Sequence, residues 1–185
     1  MIEKTPMYTT TLVNDEKGNE LIVNMNDFKW LPNYNIDTIK NILATHLDED
    51  RCPIIQSMSA YEPRKTWMSK TKSDVFKYPC IHSTPKCGTR YMYSKCNDKG
   101  HFGVPKIIFG ESGIHNPIID IDGLYGMTHG AMGIEIDSES HGQHLSKALT
   151  SPAFMDVIKS CNFSSFRIDW NIFKDMKKDF WKEFI

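Results

Sequence analysis

Val104-Pro-Lys-Ile-Ile-Phe-Gly-Glu-Ser-Gly-Ile-His-Asn-Pro-Ile-Ile-Asp-Ile-Asp-Gly-Leu-Tyr-Gly-Met-Thr-His-Gly-Ala-Met-Gly-Ile-Glu-Ile-Asp137 is the stretch whose reading decides the fold. It reads as three short strands, Lys106 to Phe109, Ile118 to Ile121 and Met132 to Ile136, each a β-branched or apolar run closed by Gly, Asn-Pro or Asp-Gly. Asp122-Gly123, set between Ile119-Asp120-Ile121 and Leu124-Tyr125, has the composition of a tight hairpin turn with φ > 0 at the glycine. Glycines at 110, 113, 123, 126, 130 and 133 end these strands and leave backbone open to close approach.

Working outward, Tyr8 to Val13 and Glu20 to Met25 alternate around Asn14-Asp15-Glu16-Lys17-Gly18-Asn19, the pattern of a β-hairpin. A loop with Phe28, Trp30 and Tyr34 follows. Ile36, Ile39, Ile42, Leu43 and Leu47 then take helical spacing behind Asn35 as cap, and the acidic run Asp48-Glu49-Asp50 places the helix end near Thr45 to Leu47. Pro53 to Met58 is a further strand. On the other side, Ser138-Glu139-Ser140-His141 opens a helix with Leu145, Ala148 and Leu149 as its buried stripe, and Ser151-Pro152 caps a second one running to Cys161. Ser165 to Trp170 reads as a last strand. The tail from Ile172 to Phe184 reads as one amphipathic helix, with Phe173, Met176, Phe180, Trp181 and Phe184 among lysines. Together these elements predict an α+β fold: a small mixed or antiparallel sheet with flanking helices, divided into a hairpin-and-helix extension over 1–50 and a main unit over 51–185.

The 185 residues are 40% apolar and 24% charged, enough to bury a core. No apolar run reaches the ~18 residues of a membrane span, and the first residues do not open a secretory signal, so an intracellular protein without a membrane partner is expected. Five irregularly spaced cysteines are expected to be free thiols. Net charge is only −1, which argues against a purely electrostatic nucleic-acid binder, but residues 62–106 carry 10 basic and 3 acidic side chains while 107–140 carry none basic and 6 acidic. Through the basic block run Trp67, Phe76, Tyr78, Tyr91, Tyr93 and Phe102, with many Ser and Thr residues. Cations fix phosphates, hydroxyls add neutral contacts, and aromatic faces stack bases or pack beneath the cations, a combination suited to nucleic acid.

No complete active site is present in the sequence. Cys80, His82, Cys87 and Cys96 lack the paired spacing of a zinc site. The histidines at 129, 141 and 144 do not make a metalloprotease pair. Asp120 with Glu135 and Asp137 imitates the carboxylates of a metal-dependent nuclease, but Asp137 stands where a lysine is needed. Phe109-Gly110-Glu111-Ser112-Gly113 leads into a strand, whereas a glycine turn that cradles S-adenosylmethionine leads into a helix.

Phe102-Gly103-Val104-Pro105-Lys106-Ile107-Ile108-Phe109, Ile119-Asp120-Ile121-Asp122-Gly123 through Tyr125-Gly126-Met127-Thr128, and Leu145-Ser146-Lys147-Ala148-Leu149 leading to Ser151-Pro152-Ala153-Phe154 resemble the target-recognition domain of adenine-specific DNA methyltransferases. These are the enzymes of restriction-modification systems in bacteria, phages and large DNA viruses. Phe166-Arg167-Ile168-Asp169-Trp170 with Lys178-Asp179-Phe180-Trp181 is similar to the close of such proteins, so the resemblance covers roughly 51–185. It implies a target-recognition-like fold that reads double-stranded DNA while a separate catalytic domain or subunit flips and methylates an adenine. The chain departs from the family in lacking the methyl-transfer loop: Asn116-Pro117 has neither the second proline nor the aromatic residue. No cofactor is therefore expected in this chain, S-adenosylmethionine belonging to the catalytic partner, and the chain is a fragment of a longer enzyme, a specificity subunit or a decayed copy. The resemblance further implies a structural Lys106 and a DNA-facing set of Arg64, Lys65, Trp67, Lys70, Lys72, Lys86 and Arg90, with arginine the better reader of guanine. A small nuclease using Asp120 and Glu135, and a structural or assembly protein, stand as alternatives.

Overall fold

A computed structural model describes residues 10–15, 18–28, 32–44, 49–57, 59–161 and 167–185. Ten strands are described: β1 (Thr10–Asn14), β2 (Glu20–Asn24), β3 (Ile54–Gln56), β4 (Met68–Ser69), β5 (Tyr78–Ser83), β6 (Arg90–Ser94), β7 (Lys106–Gly110), β8 (Gly113–Asp120), β9 (Gly126–Met127) and β10 (Ala131–Glu135). Four α-helices accompany them: α1 (Ile36–Ile42), α2 (Glu139–Thr150), α3 (Pro152–Ser160) and α4 (Trp170–Lys174). The result is an α+β fold. One sheet runs β3-β10-β7-β8, all antiparallel; a second runs β4-β6-β5-β9 with β5 and β9 parallel; β1 and β2 form a separate hairpin.

All five residues of β7 are buried, and the two-residue period of a strand sends them to opposite sides of the first sheet. Ile107 and Phe109, with their register partners Ile134 and Met132, face the helices and join Leu145, Leu149, Phe154, Ile158, Phe173 and Phe180 in the main core. Ile108 faces the second sheet and meets Ile81, Met127 and Ala131. Each such side chain contributes roughly 1.5–3 kcal/mol by leaving water. Val23, Phe28, Ile36, Ile39 and Ile42 belong to the same main core, so the hairpin and α1 pack on the helix side of the first sheet.

Helices α2 and α3 form where sequence places them. Ser138 Oγ accepts from His141 N, and Ser151 Oγ accepts from Phe154 N with Pro152 in the first turn. Other elements differ from expectation. The Asp122-Gly123 turn does not close a hairpin, because Asp120 draws the following chain away: its carboxylate accepts from Leu124 N at 2.7 Å and Tyr125 N at 3.0 Å. The chain then crosses to the second sheet as β9, beside β5. The expected tail helix is broken into α4 and a 3-10 turn at Phe180–Phe184. Between them Ala44 N donates to Asp175 O, Cys52 N to Met176 O and Lys177 N to Ile42 O, hydrogen bonds that a continuous helix would forfeit. Asn35 precedes α1 in the left-handed conformation (φ 61°) and makes no side-chain cap; its Nδ2 donates instead to Asp156 at 2.9 Å. Leu43, the C-cap of α1, is extended. Trp170, expected to close a strand, opens α4 behind Asp169, which accepts from Asn171 N. Tyr8, Trp30, the expected helix end at Thr45 to Leu47, Met58, and Ser165 with Phe166 lie outside the described residues.

Candidate nucleic-acid interface

The basic block folds as the second sheet and its loops. On one face Met68, Cys80 and Met92 pack with Tyr61 in a small core of their own, joined by Trp67, Cys96 and Phe102. Tyr61 fastens the loops at one end: its hydroxyl donates to Cys96 O at 2.9 Å and accepts from Lys99 N at 3.2 Å. Burial pushes the Tyr61 phenol and the Cys80 thiol up, the latter to about 12, so both are neutral.

This fastening gathers cations over aromatic rings. Trp67 donates its indole N–H to Ala60 O at 3.0 Å, and its ring carries Lys65 Nζ at 5.6 Å and Lys99 Nζ at 5.0 Å from the centroid. Lys95 lies 5.0 Å over Phe76 and Lys77 5.2 Å over Tyr78. Each such pairing is worth about 0.5–1 kcal/mol at an exposed site, and each holds an ammonium in place without neutralising it.

Ten basic side chains lie between 62 and 106, and Lys106 alone of them is in an ion pair among the described residues. Of the other nine, Lys65 is half-buried and the rest are exposed. The cleft of about 600 Å³ between the start of α2 and the C-terminal turn is lined by Lys177, Lys182 and His141, which pair with Glu49, Asp179 and Asp137. The second sheet and its loops carry nine cations with no ion pair among the described residues.

The residues expected to face DNA divide into groups. Arg64, Lys65 and Trp67 stand with Lys99 and Lys95 at the Met68–Ser94 end of the sheet. Lys70 follows β4 and Arg90 opens β6, and both act on the charge of His82 at the opposite end. Lys72 is exposed in the loop before β5. Lys86 is exposed in the β5–β6 turn, where Gly88 N donates to Pro85 O. Trp67 serves as a platform for cations, with its ring occupied by two ammoniums.

His82 and His129, which the sequence offers only as separate and incomplete metal motifs, meet in the structure, with Lys70 and Arg90 acting on His82. A register shift between Ile81 and Ser83 leaves His82 outside the ladder. Its Nδ1 is 2.8 Å from Thr128 Oγ1, and its ring centroid is 5.8 Å from that of His129. The spacing of 82 and 129 gives no hint of this; the one available signal was the Gly130 that follows, where a Cβ would sit 2.6 Å from His82 O.

The other constellations do not assemble. Asp120 is buried, and its oxygens are taken by Lys106, Leu124 N and Tyr125 N, whereas Glu135 is exposed. Cys80 faces the small core, Cys87 is exposed and His82 is bonded to Thr128. Among the described residues no three His, Cys, Asp or Glu side chains converge on a metal position.

Compared with protein-family models, curated proteins and solved structures, the chain matches none. No described helix is long and apolar enough to cross a membrane.

Proposed function

We propose that this chain recognises double-stranded DNA in a sequence-specific manner on behalf of an adenine-specific DNA methyltransferase or restriction-modification enzyme. The observation that carries the reading is the set of nine cations in 62–106 that have no ion pair among the described residues, four of them, Lys65, Lys77, Lys95 and Lys99, lying over aromatic rings. Such an array gains by releasing counterions from a phosphate backbone. The resemblance of the 102–128 and 145–154 segments to target-recognition domains supplies the enzyme served. In this reading Arg64 and Arg90 supply the bidentate donors that read guanine, and the lysines hold phosphates. Methyl transfer and its S-adenosylmethionine belong to a catalytic domain or subunit bound alongside.

The triple variant Arg64→Ala/Lys65→Ala/Arg90→Ala tests it. Duplex affinity is expected to fall, and the slope of log K against log salt to drop by about 0.9 for each phosphate the variant no longer neutralises. Unchanged affinity with an unchanged slope would remove the basic sheet from the interface. The nuclease alternative is disfavoured by the engagement of Asp120, and plasmid DNA is expected to survive incubation with magnesium or manganese.

A further inference from the structure

We propose that His82 and its neighbour His129, at the end of the second sheet where Lys70 and Arg90 act on His82, form a phosphate-binding site that takes up a proton as a phosphate group enters. The inference rests on the reading of this sheet as a DNA-binding surface and names the part of it that grips the backbone.

His82 leaves the β5–β6 ladder at the register shift, and the loop leading into β10 packs against it, with Thr128 Oγ1 at 2.8 Å from Nδ1. Thr128 is fully buried and its hydroxyl oxygen also accepts from Gly130 N at 3.4 Å, so the hydroxyl fastens His82 Nδ1 to the loop that leads into β10. With Nδ1 engaged, Nε2 is the ring nitrogen left for a ligand, and it donates once the ring is protonated. His129 meets His82 edge to face, with an interplanar angle of 66°. Its Nδ1 is buried and has no hydrogen-bond partner among the described residues, a group that burial would otherwise penalise. Both rings are half-buried and the two flanking cations are exposed.

The charges facing the pair come from every element packed around it. Burial, then His129, Arg90 and Lys70, hold His82 below the usual histidine range, opposed by Glu111. Glu111 is itself paired with Arg167 at 3.3 Å, which reduces its pull. Two imidazoles beside cations that have no ion pair among the described residues are poised for an anion: a phosphate adds the negative charge that Lys70 and Arg90 lack, and it offsets the cost of charging His82. The protonated ring then donates to a phosphate oxygen, a charge-assisted hydrogen bond. Binding is thereby linked to proton uptake and tightens as pH falls through the histidine range, by up to about tenfold per pH unit for each proton taken up.

Two arms test the proposal on the intact chain. In the first, the imidazole signals of His82 and His129 are followed by NMR as inorganic phosphate replaces chloride at constant ionic strength. Phosphate is expected to raise the titration midpoints of both rings. Signals that titrate alike in phosphate and chloride would overturn the inference, whatever DNA does. In the second arm, binding of a duplex is measured across the same pH range for the native chain and for His82→Gln and His129→Gln. The variants are expected to bind with a flattened pH dependence; variants that keep the native dependence would also overturn it. A duplex that binds while phosphate leaves the histidines unmoved preserves the DNA reading and discards this site. Phosphate that moves the histidines while no duplex binds preserves the site for free phosphate and discards the DNA reading.

Discussion

Lys106 Nζ lies 2.6 Å from Asp120 Oδ2, with both side chains sealed from solvent between two strands of the central sheet. Lys106 also donates to Val104 O, and Asp120 accepts from Leu124 N and Tyr125 N. The pair thus joins three segments: the entry to β7, the end of β8 and the crossing to β9. Such a pair is costly to bury and costly to break. Asp120→Ala leaves a buried ammonium uncompensated and two N–H groups unpaired, and is expected to lose about 3–5 kcal/mol of stability by denaturant unfolding. Lys106→Met/Asp120→Asn, which removes both charges and keeps one acceptor, is expected to regain much of that loss; a double variant no better than the single one would show that charge compensation is not the cause.

Acid is expected to weaken the fold through His82 and His101. Burial holds both below the ordinary value of 6.5. As pH drops through 6.5 the unfolded chain takes up protons at these positions that the folded chain refuses, so stability falls with decreasing pH and is restored above that window. The unfolding midpoint in urea, measured from pH 8 to 5, is expected to decline, and His82→Gln to decline less. Phosphate is expected to oppose the loss by stabilising the protonated pair.

Gly123 carries φ +66°, and a Cβ there would meet the backbone of Gly103 at 2.6 Å. Gly103 N donates to Gly123 O at 2.8 Å, so neither segment can withdraw cheaply. Gly123→Ala combines left-handed strain with a backbone clash and is expected to cost about 2 kcal/mol or more, lowering the melting temperature by several degrees. A variant that melts with the native chain would mean this crossing is not held as described.

Thiol chemistry is expected to follow burial. Cys87 is exposed in the β5–β6 turn and Cys96 is half-buried, whereas Cys52, Cys80 and Cys161 are buried. Burial also pushes the Cys161 thiol up to about 11, which leaves little thiolate. A disulfide reagent should label Cys87 first, Cys96 more slowly, and the other three only in denaturant. Rapid modification of Cys80 would contradict the packing of the small core.

Much of the fold was legible because it is written locally. The Ser138 and Ser151-Pro152 caps, the alternation around 107–109 and the β1–β2 hairpin each specify their element from neighbouring residues. What escaped depends on partners far along the chain. Asp122-Gly123 has every mark of a hairpin turn, and only the capture of Leu124 and Tyr125 by Asp120 sends the chain elsewhere. The tail has helical spacing, yet its backbone is claimed by Ala44, Cys52 and Ile42. The basic block was visible as a charge run, but its arrangement over Trp67, Phe76 and Tyr78 was not. His82 and His129 meet through a register shift that no local pattern announces.

The most direct measurement is retention of a pool of randomised duplex DNA by the purified chain at low and high salt, followed by sequencing of what is held. For a DNA-reading chain the expected result is enrichment of one short motif containing an adenine, with total retention falling steeply as salt rises. Absence of retention at low salt would contradict it, because nine cations with no ion pair among the described residues would then have no phosphate backbone to serve.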